Sequence, residues 1–160
     1  MTIKVGDKVP TVKLKQMTPD GMRDVDTGEF FKGKKVVVFA VPGAFTPTCS
    51  AKHLPGFVEK AAQIKAKGVD AIACLSVNDA FVMNAWGKDQ KTEDKVMMLA
   101  DGSGDFTRAV GLELDATRNG LGKRSQRYSM LVDNGVVKAL HVEAAGKFEV
   151  SDAETMLKDL

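Results

Sequence analysis

Strand and helix signals that alternate along the chain, a late two-residue hairpin, and a cysteine placed just after the first apolar strand together predict the fold class. It is α/β, with a mixed central sheet and helices on both faces. The alternation argues for a parallel core, because a crossover helix returns the chain to the same end of the sheet. Asn134-Gly135, between two β-rich runs, adds antiparallel strands on one side. With 160 residues, 44% of them apolar, the chain can bury one ordinary core. No repeat or low-complexity linker divides it, so residues 1–160 read as a single domain.

Residues 1–33 are polar and read as loop, with turn signals at Pro19-Asp20-Gly21 and Gly33. Val36-Val37-Val38-Phe39-Ala40 is β-branched and aromatic, which predicts a buried strand over about residues 35–41. Thr46-Pro47 then reads as a helix start, with Thr46 as N-cap and Pro47 in the first helical position. That helix should run to about residue 67, be kinked or broken at Pro55-Gly56, and end at Gly68. Residues 69–77 predict a second buried strand, and Asp79 a cap for a helix with Phe81, Val82, Ala85 and Trp86 on one face. A third strand is expected at 96–100 and a short helix at 105–110. The hairpin strands are 128–133 and 136–142, and Ser151 with Glu154 has capping-box spacing before a last helix. This order, a βαβ unit followed by a ββα unit, is the plan of the thioredoxin fold.

In this register Cys49 lies in the first helical turn, facing unpaired backbone N–H groups and the positive end of the helix dipole. Both favour a thiolate, so its pKa is expected below the free value of about 8.5. Thioredoxins carry C-x-x-C here, whereas this chain has Thr46-Pro47-Thr48-Cys49, a hydroxyl in place of the first sulfur. A lone thiolate cannot close that disulfide. It can attack an oxidant held by a nearby hydroxyl and become a sulfenic acid.

Pro42-x-x-x-Thr46-x-x-Cys49 resembles the peroxiredoxin active-site pattern. The longer string Pro42-Gly43-Ala44-Phe45-Thr46-Pro47-Thr48-Cys49-Ser50 is similar to the subfamily of peroxiredoxin 5 and the plant type II enzymes. The similarity continues through His53-Leu54-Pro55-Gly56-Phe57, Ser76-Val77-Asn78-Asp79 and Arg127-Tyr128-Ser129-Met130-Leu131-Val132-Asp133, over essentially the whole chain. It implies a thiol peroxidase acting on hydrogen peroxide and alkyl hydroperoxides. Cys49 would be the peroxidatic cysteine, Thr46 would hydrogen-bond the peroxide, Pro42 would shield the thiolate, and Arg127 would stabilise the thiolate and the developing charge on oxygen. Without the motif, ending the strand is one alternative for Pro42, and Arg127 would be a surface arginine; Arg124 is a weaker candidate for the same network.

Cys74 falls mid-strand, as a buried thiol or as a possible resolving cysteine at the position of the second cysteine of plant type II enzymes. Animal peroxiredoxin 5 has its resolving cysteine late in the chain, where this sequence has Val150-Ser151. The expected reductant is therefore an outside thiol, glutathione with glutaredoxin or thioredoxin. His53, four residues after Cys49, would share its helix face and support the thiolate as an imidazolium, although Pro55 disturbs that geometry and a partly exposed histidine is the plainer reading. Phe45 calls for a cover, which relatives supply by homodimerisation at this end, and Leu112 and Leu114 are candidates for an apolar substrate pocket.

Lys and Arg (23) nearly balance Asp and Glu (21), which gives no field for nucleic acid. No apolar stretch approaches the roughly 20 residues of a membrane span. Two cysteines and no secretory peptide fit a reducing, cytoplasmic setting, one that a processed organellar protein would share. One reactive Cys and two scattered His make no metal-ligand set, and no cofactor is expected. The competing reading is a redox-sensing interaction protein that relays oxidation to partners. A glutaredoxin-like disulfide transferase is disfavoured by the missing first cysteine.

Overall fold

In the computed structural model, which describes residues 2–160, the N-terminal segment is not the loop that its polarity suggested. β1 (Lys13–Thr18) and β2 (Gly21–Asp26) pair antiparallel across Pro19-Asp20, and α1 (Thr27–Phe31) follows with Asp26 accepting from the Glu29 N–H. The pair forms one edge of the sheet and buries only Leu14 and Val25 among its twelve residues. An edge hairpin half in water leaves too few apolar positions to register as strand.

β3 (Lys35–Val41) leads through a loop and a helical first turn into α2 (Leu54–Ala66). β4 (Ala71–Ser76), α3 (Ala80–Asp89), β5 (Met97–Ala100) and α4 (Asp105–Ala109) come next. β6 (Glu113–Ala116) and β7 (Gly122–Ser125) form a separate two-stranded ribbon that the sequence reading did not include. β8 (Tyr128–Asp133), β9 (Val136–Val142) and α5 (Ala153–Leu157) complete the chain. The seven-stranded sheet has the order β2-β1-β5-β4-β3-β8-β9, with β3, β4 and β5 parallel at its centre and antiparallel strands on both flanks. The predicted mixed sheet with helices on both faces is the observed architecture.

β3 shows how the two faces are filled. Val37, Phe39 and Val41 join Leu54, Phe57 and Ile64 of α2, Met83 and Trp86 of α3 and Met156 of α5 on one face. Val36, Val38 and Ala40 join Phe30, Phe31, Phe106 and Tyr128 on the other. A strand buried on both faces reads as a continuous apolar run, and this one did.

One face, one cap and one helix junction differ from expectation. The buried face of α3 is Ala80, Met83, Trp86 and Gly87, while Phe81 is 62% exposed, because the helix starts at Asp79 and its inward positions recur from Ala80. The last helix is capped by Asp152, which accepts from the Thr155 N–H, because the Ser151 hydroxyl is bound to Glu143. The helix after β3 is not broken at Pro55. Cys49–His53 forms a π turn in which the Leu54 N–H reaches the Cys49 carbonyl, and this wide turn leads the chain into Pro55, which has no N–H to place.

Candidate active site

The β3 strand delivers the chain to the carboxyl end of the sheet, and residues 42–46 turn it into the helix. Gly43 lets Arg124 come close to this turn, since a Cβ would lie 2.8 Å from its Nη1 and 3.1 Å from Thr46 Cγ2 and would push the guanidinium aside. Phe45 has φ of 65°, an uncommon conformation for a non-glycine residue. The loop is held from two sides. Asn78 Oδ1 accepts from the Ala44 N–H at 3.0 Å and from Ser76 Oγ at 2.6 Å, and Arg124 donates to the Pro42 carbonyl at 3.2 Å. Arg124 thus braces the loop through the Pro42 and Leu121 carbonyls, whereas Arg127 is the arginine bonded to the Cys49 sulfur.

The Cys49 thiol is buried, and Arg127 Nη2 donates to its Sγ at 3.0 Å. The guanidinium is always charged and its N–H fork is rigid, so a fixed cation is aimed at the sulfur. Thr46 occupies the expected cap position, where its carbonyl accepts from the Ser50 N–H at 2.9 Å. Its hydroxyl departs from the predicted capping role by donating to the Gly43 carbonyl at 2.7 Å, which leaves its lone pairs to accept. Trp86 ties the same turn to α3 through Nε1–H donated to Ser50 Oγ at 3.0 Å.

His53 is fully buried beside Cys49, not the partly exposed histidine of the plainer reading, and it does not act as an imidazolium either. Its Nε2 lies 2.9 Å from the Ser151 carbonyl and its Nδ1 2.9 Å from Arg127 Nη1. A carbonyl only accepts and a guanidinium only donates, so the ring is neutral, with its proton on Nε2. Enclosed by Phe39, Phe57 and Phe148, the imidazole has its pKa pushed down from 6.5 to about 3, first by burial and then by the Arg127 cation. It is an acceptor that aims Arg127, not an imidazolium beside the sulfur.

Cys74 sits in the middle of β4, paired with Phe39, fully buried and unbridged. Burial, followed by the neighbouring Cys49, pushes its thiol well above the ordinary value. A cavity of about 400 Å³ opens beside the site, bounded by Pro42, Thr48, Leu114, Gln126 and Arg127 and by residues 143–147. Leu114 is in this wall, whereas Leu112 belongs to the core on the far side of the sheet. A larger recess of about 590 Å³ lies between α3 and β5 with no cysteine, histidine or arginine in its lining. Phe45 is 51% exposed, with its ring 6.4 Å from that of Trp86.

The chain matches the redoxin family over residues 4–157. It is 53% identical to the chloroplastic Peroxiredoxin-2E of Arabidopsis thaliana, over 99% of this chain and 70% of that protein. Among solved structures, reduced Prx3 of Vibrio vulnificus in complex with hydrogen peroxide superposes with a TM-score of 0.95 at 57% identity, covering 98% of both chains. Peroxiredoxin 5 of Alvinella pompejana does so with a TM-score of 0.87 at 37% identity, over 98% of this chain and 97% of the other. The buried thiol under a fixed guanidinium therefore sits in a chain that belongs to the peroxiredoxins, a family of thiol-dependent peroxidases.

Proposed function

We propose that Cys49 is the peroxidatic cysteine and that Arg127, Thr46 and Pro42 complete the site in one domain spanning the chain. The observation that carries this reading is the 3.0 Å bond from Arg127 to the Cys49 sulfur. The thiolate attacks one peroxide oxygen. An S–O bond forms as the O–O bond breaks, and the departing oxygen takes a proton and leaves as water or an alcohol, with Cys49 left as sulfenic acid. The hydroxyl of Thr46, its own proton committed to Gly43, accepts from the peroxide O–H, and Arg127 stabilises the charge that develops on oxygen. The peroxide held by the Vibrio relative supports hydrogen peroxide as a substrate. The apolar share of the adjacent cavity, Pro42, Leu114, Ala144 and Ala145, suits alkyl hydroperoxides as well.

Recycling falls to an external thiol, glutathione with glutaredoxin or thioredoxin, because Cys74 is buried, held protonated and fixed in a central strand. Phe45, exposed at the same end of the domain, is the reason to infer a homodimer. The two unbridged cysteines accord with a reducing, cytoplasmic compartment.

Steady-state peroxide consumption, driven in parallel by glutathione plus glutaredoxin and by thioredoxin, tests the reading and identifies the donor. Turnover with at least one donor is expected, and mass spectrometry after one equivalent of peroxide should find no Cys49–Cys74 disulfide. Stoichiometric oxidation without turnover by either donor would favour a sensor, and a quantitative internal disulfide would overturn the external-thiol step.

A further inference from the structure

The first residue of the loop after β9, Glu143, is a buried carboxylate that the reaction itself does not use. It accepts from four donors on three consecutive residues: the Glu149 N–H at 2.9 Å, the Val150 N–H at 2.8 Å, and the Ser151 N–H and Oγ–H at 2.7 Å each. Burial pushes this carboxyl up, but the converging donors outweigh it and hold the group below 4.5. Its own N–H donates to the Arg127 carbonyl at 2.9 Å, so it is anchored to the strand end that carries the catalytic arginine.

Three things depend on where this carboxylate holds the 149–151 backbone. The Ser151 carbonyl accepts the His53 Nε2–H, and His53 Nδ1 in turn accepts from Arg127. The same loop lays the Phe148 ring 5.0 Å from the His53 ring and 5.8 Å from the Arg127 guanidinium carbon. Residues 144–147 form one wall of the cavity beside Cys49. We propose that Glu143 is a positioning residue for peroxide reduction: by gathering the N–H groups of residues 149–151 it holds the Ser151 carbonyl under His53 and so aims Arg127 at the Cys49 sulfur. This rests on the proposed role of Arg127 at Cys49.

Glu143→Gln is near-isosteric but loses the negative charge and keeps one acceptor oxygen, so that its N–H₂ must sit against the Glu149 N–H that both carboxylate oxygens now share, which weakens the clamp. Oxidation of Cys49 by hydrogen peroxide, followed by rapid mixing with the single tryptophan, Trp86, as reporter, should slow by at least about ten-fold, a part of the roughly hundred-fold that a 1 Å misplacement of a catalytic group can cost. In an Arg127→Ala background the same change should cost less than about two-fold, because an effect transmitted through Arg127 disappears with it. Should Glu143→Gln fail to give the parent circular dichroism, Ser151→Ala removes one donor, keeps the carbonyl, and should slow the parent about three-fold. A native Glu143→Gln protein at the parent rate, an undiminished effect in the Arg127→Ala background, or an unslowed Ser151→Ala where it is the probe would each overturn the proposal. Failure of the unmutated chain to react would instead count against the role assigned to Cys49.

Discussion

Replacing His53 with Gln should flatten the loss of stability that acid causes in this protein. The imidazole takes a proton near 6.5 when exposed, but in the fold burial and then the Arg127 cation hold it neutral down to about 3. Between those limits the unfolded chain binds one more proton than the native one, so stability is fully present above about pH 6.5 and falls as pH drops toward 3. At pH 5 the gap already spans about 1.5 units, and at about 1.36 kcal/mol per unit the loss is about 2 kcal/mol.

Glutamine keeps an acceptor for Arg127 and a donor for the Ser151 carbonyl without a titratable ring. Urea unfolding of parent and His53→Gln at about pH 7.5 and pH 5 measures the difference. Depressed carboxylates such as Glu143 and Asp115 also lose stability in acid, but equally in both proteins, so they cancel. The parent should lose about 2 kcal/mol more than the variant over this interval. Parallel pH profiles would show that His53 is protonated in the native state, and its assignment as the neutral acceptor of Arg127 would fail.

Two further outcomes follow from the site. Thr46→Val removes the hydroxyl proposed to accept from peroxide and should slow Cys49 oxidation by about ten- to one-hundred-fold, the cost of leaving the bound peroxide O–H without its acceptor, with only about 1 kcal/mol of stability lost with the Gly43 bond; a stopped-flow rate within a few-fold of the parent contradicts the role. Phe45→Asp puts a charge on the exposed ring position and should shift sedimentation toward the monomer at micromolar concentration, while an unchanged sedimentation coefficient counts against a homodimer formed through Phe45.

What was legible in the sequence was what local chemistry decides. Val36 to Val41 announced a doubly buried strand, Asn134-Gly135 a hairpin with φ of 49° and 80°, and Thr46-Pro47 the helix start beneath Cys49. The β1–β2 edge hairpin and the β6–β7 ribbon were not, because strands with few buried positions lack a hydropathic period. Pro55 marked the right place for a disturbance, and of the kink or break expected there the break is ruled out: a π turn leads into it without ending the helix.

What spacing alone could not give has a common cause, and Arg127 itself came from the family resemblance. Arg127 meets Cys49 across 78 residues, His53 meets Arg127 across 74, and Ser151 meets His53 across 98, so no spacing in the chain encodes these contacts. Sequence alone offered His53 as a cation because a histidine beside a reactive thiol reads that way when its other neighbours are unknown. Three aromatic rings and a guanidinium on its only lone pair reverse the sign. Charge at this site is therefore arranged by the packing of β8, β9 and the loop before α5 onto the Cys49 turn. The arginine supplies the cation, and the neutral ring serves to aim it. A second cation in place of that ring would repel the guanidinium and remove the acceptor that holds it against the sulfur.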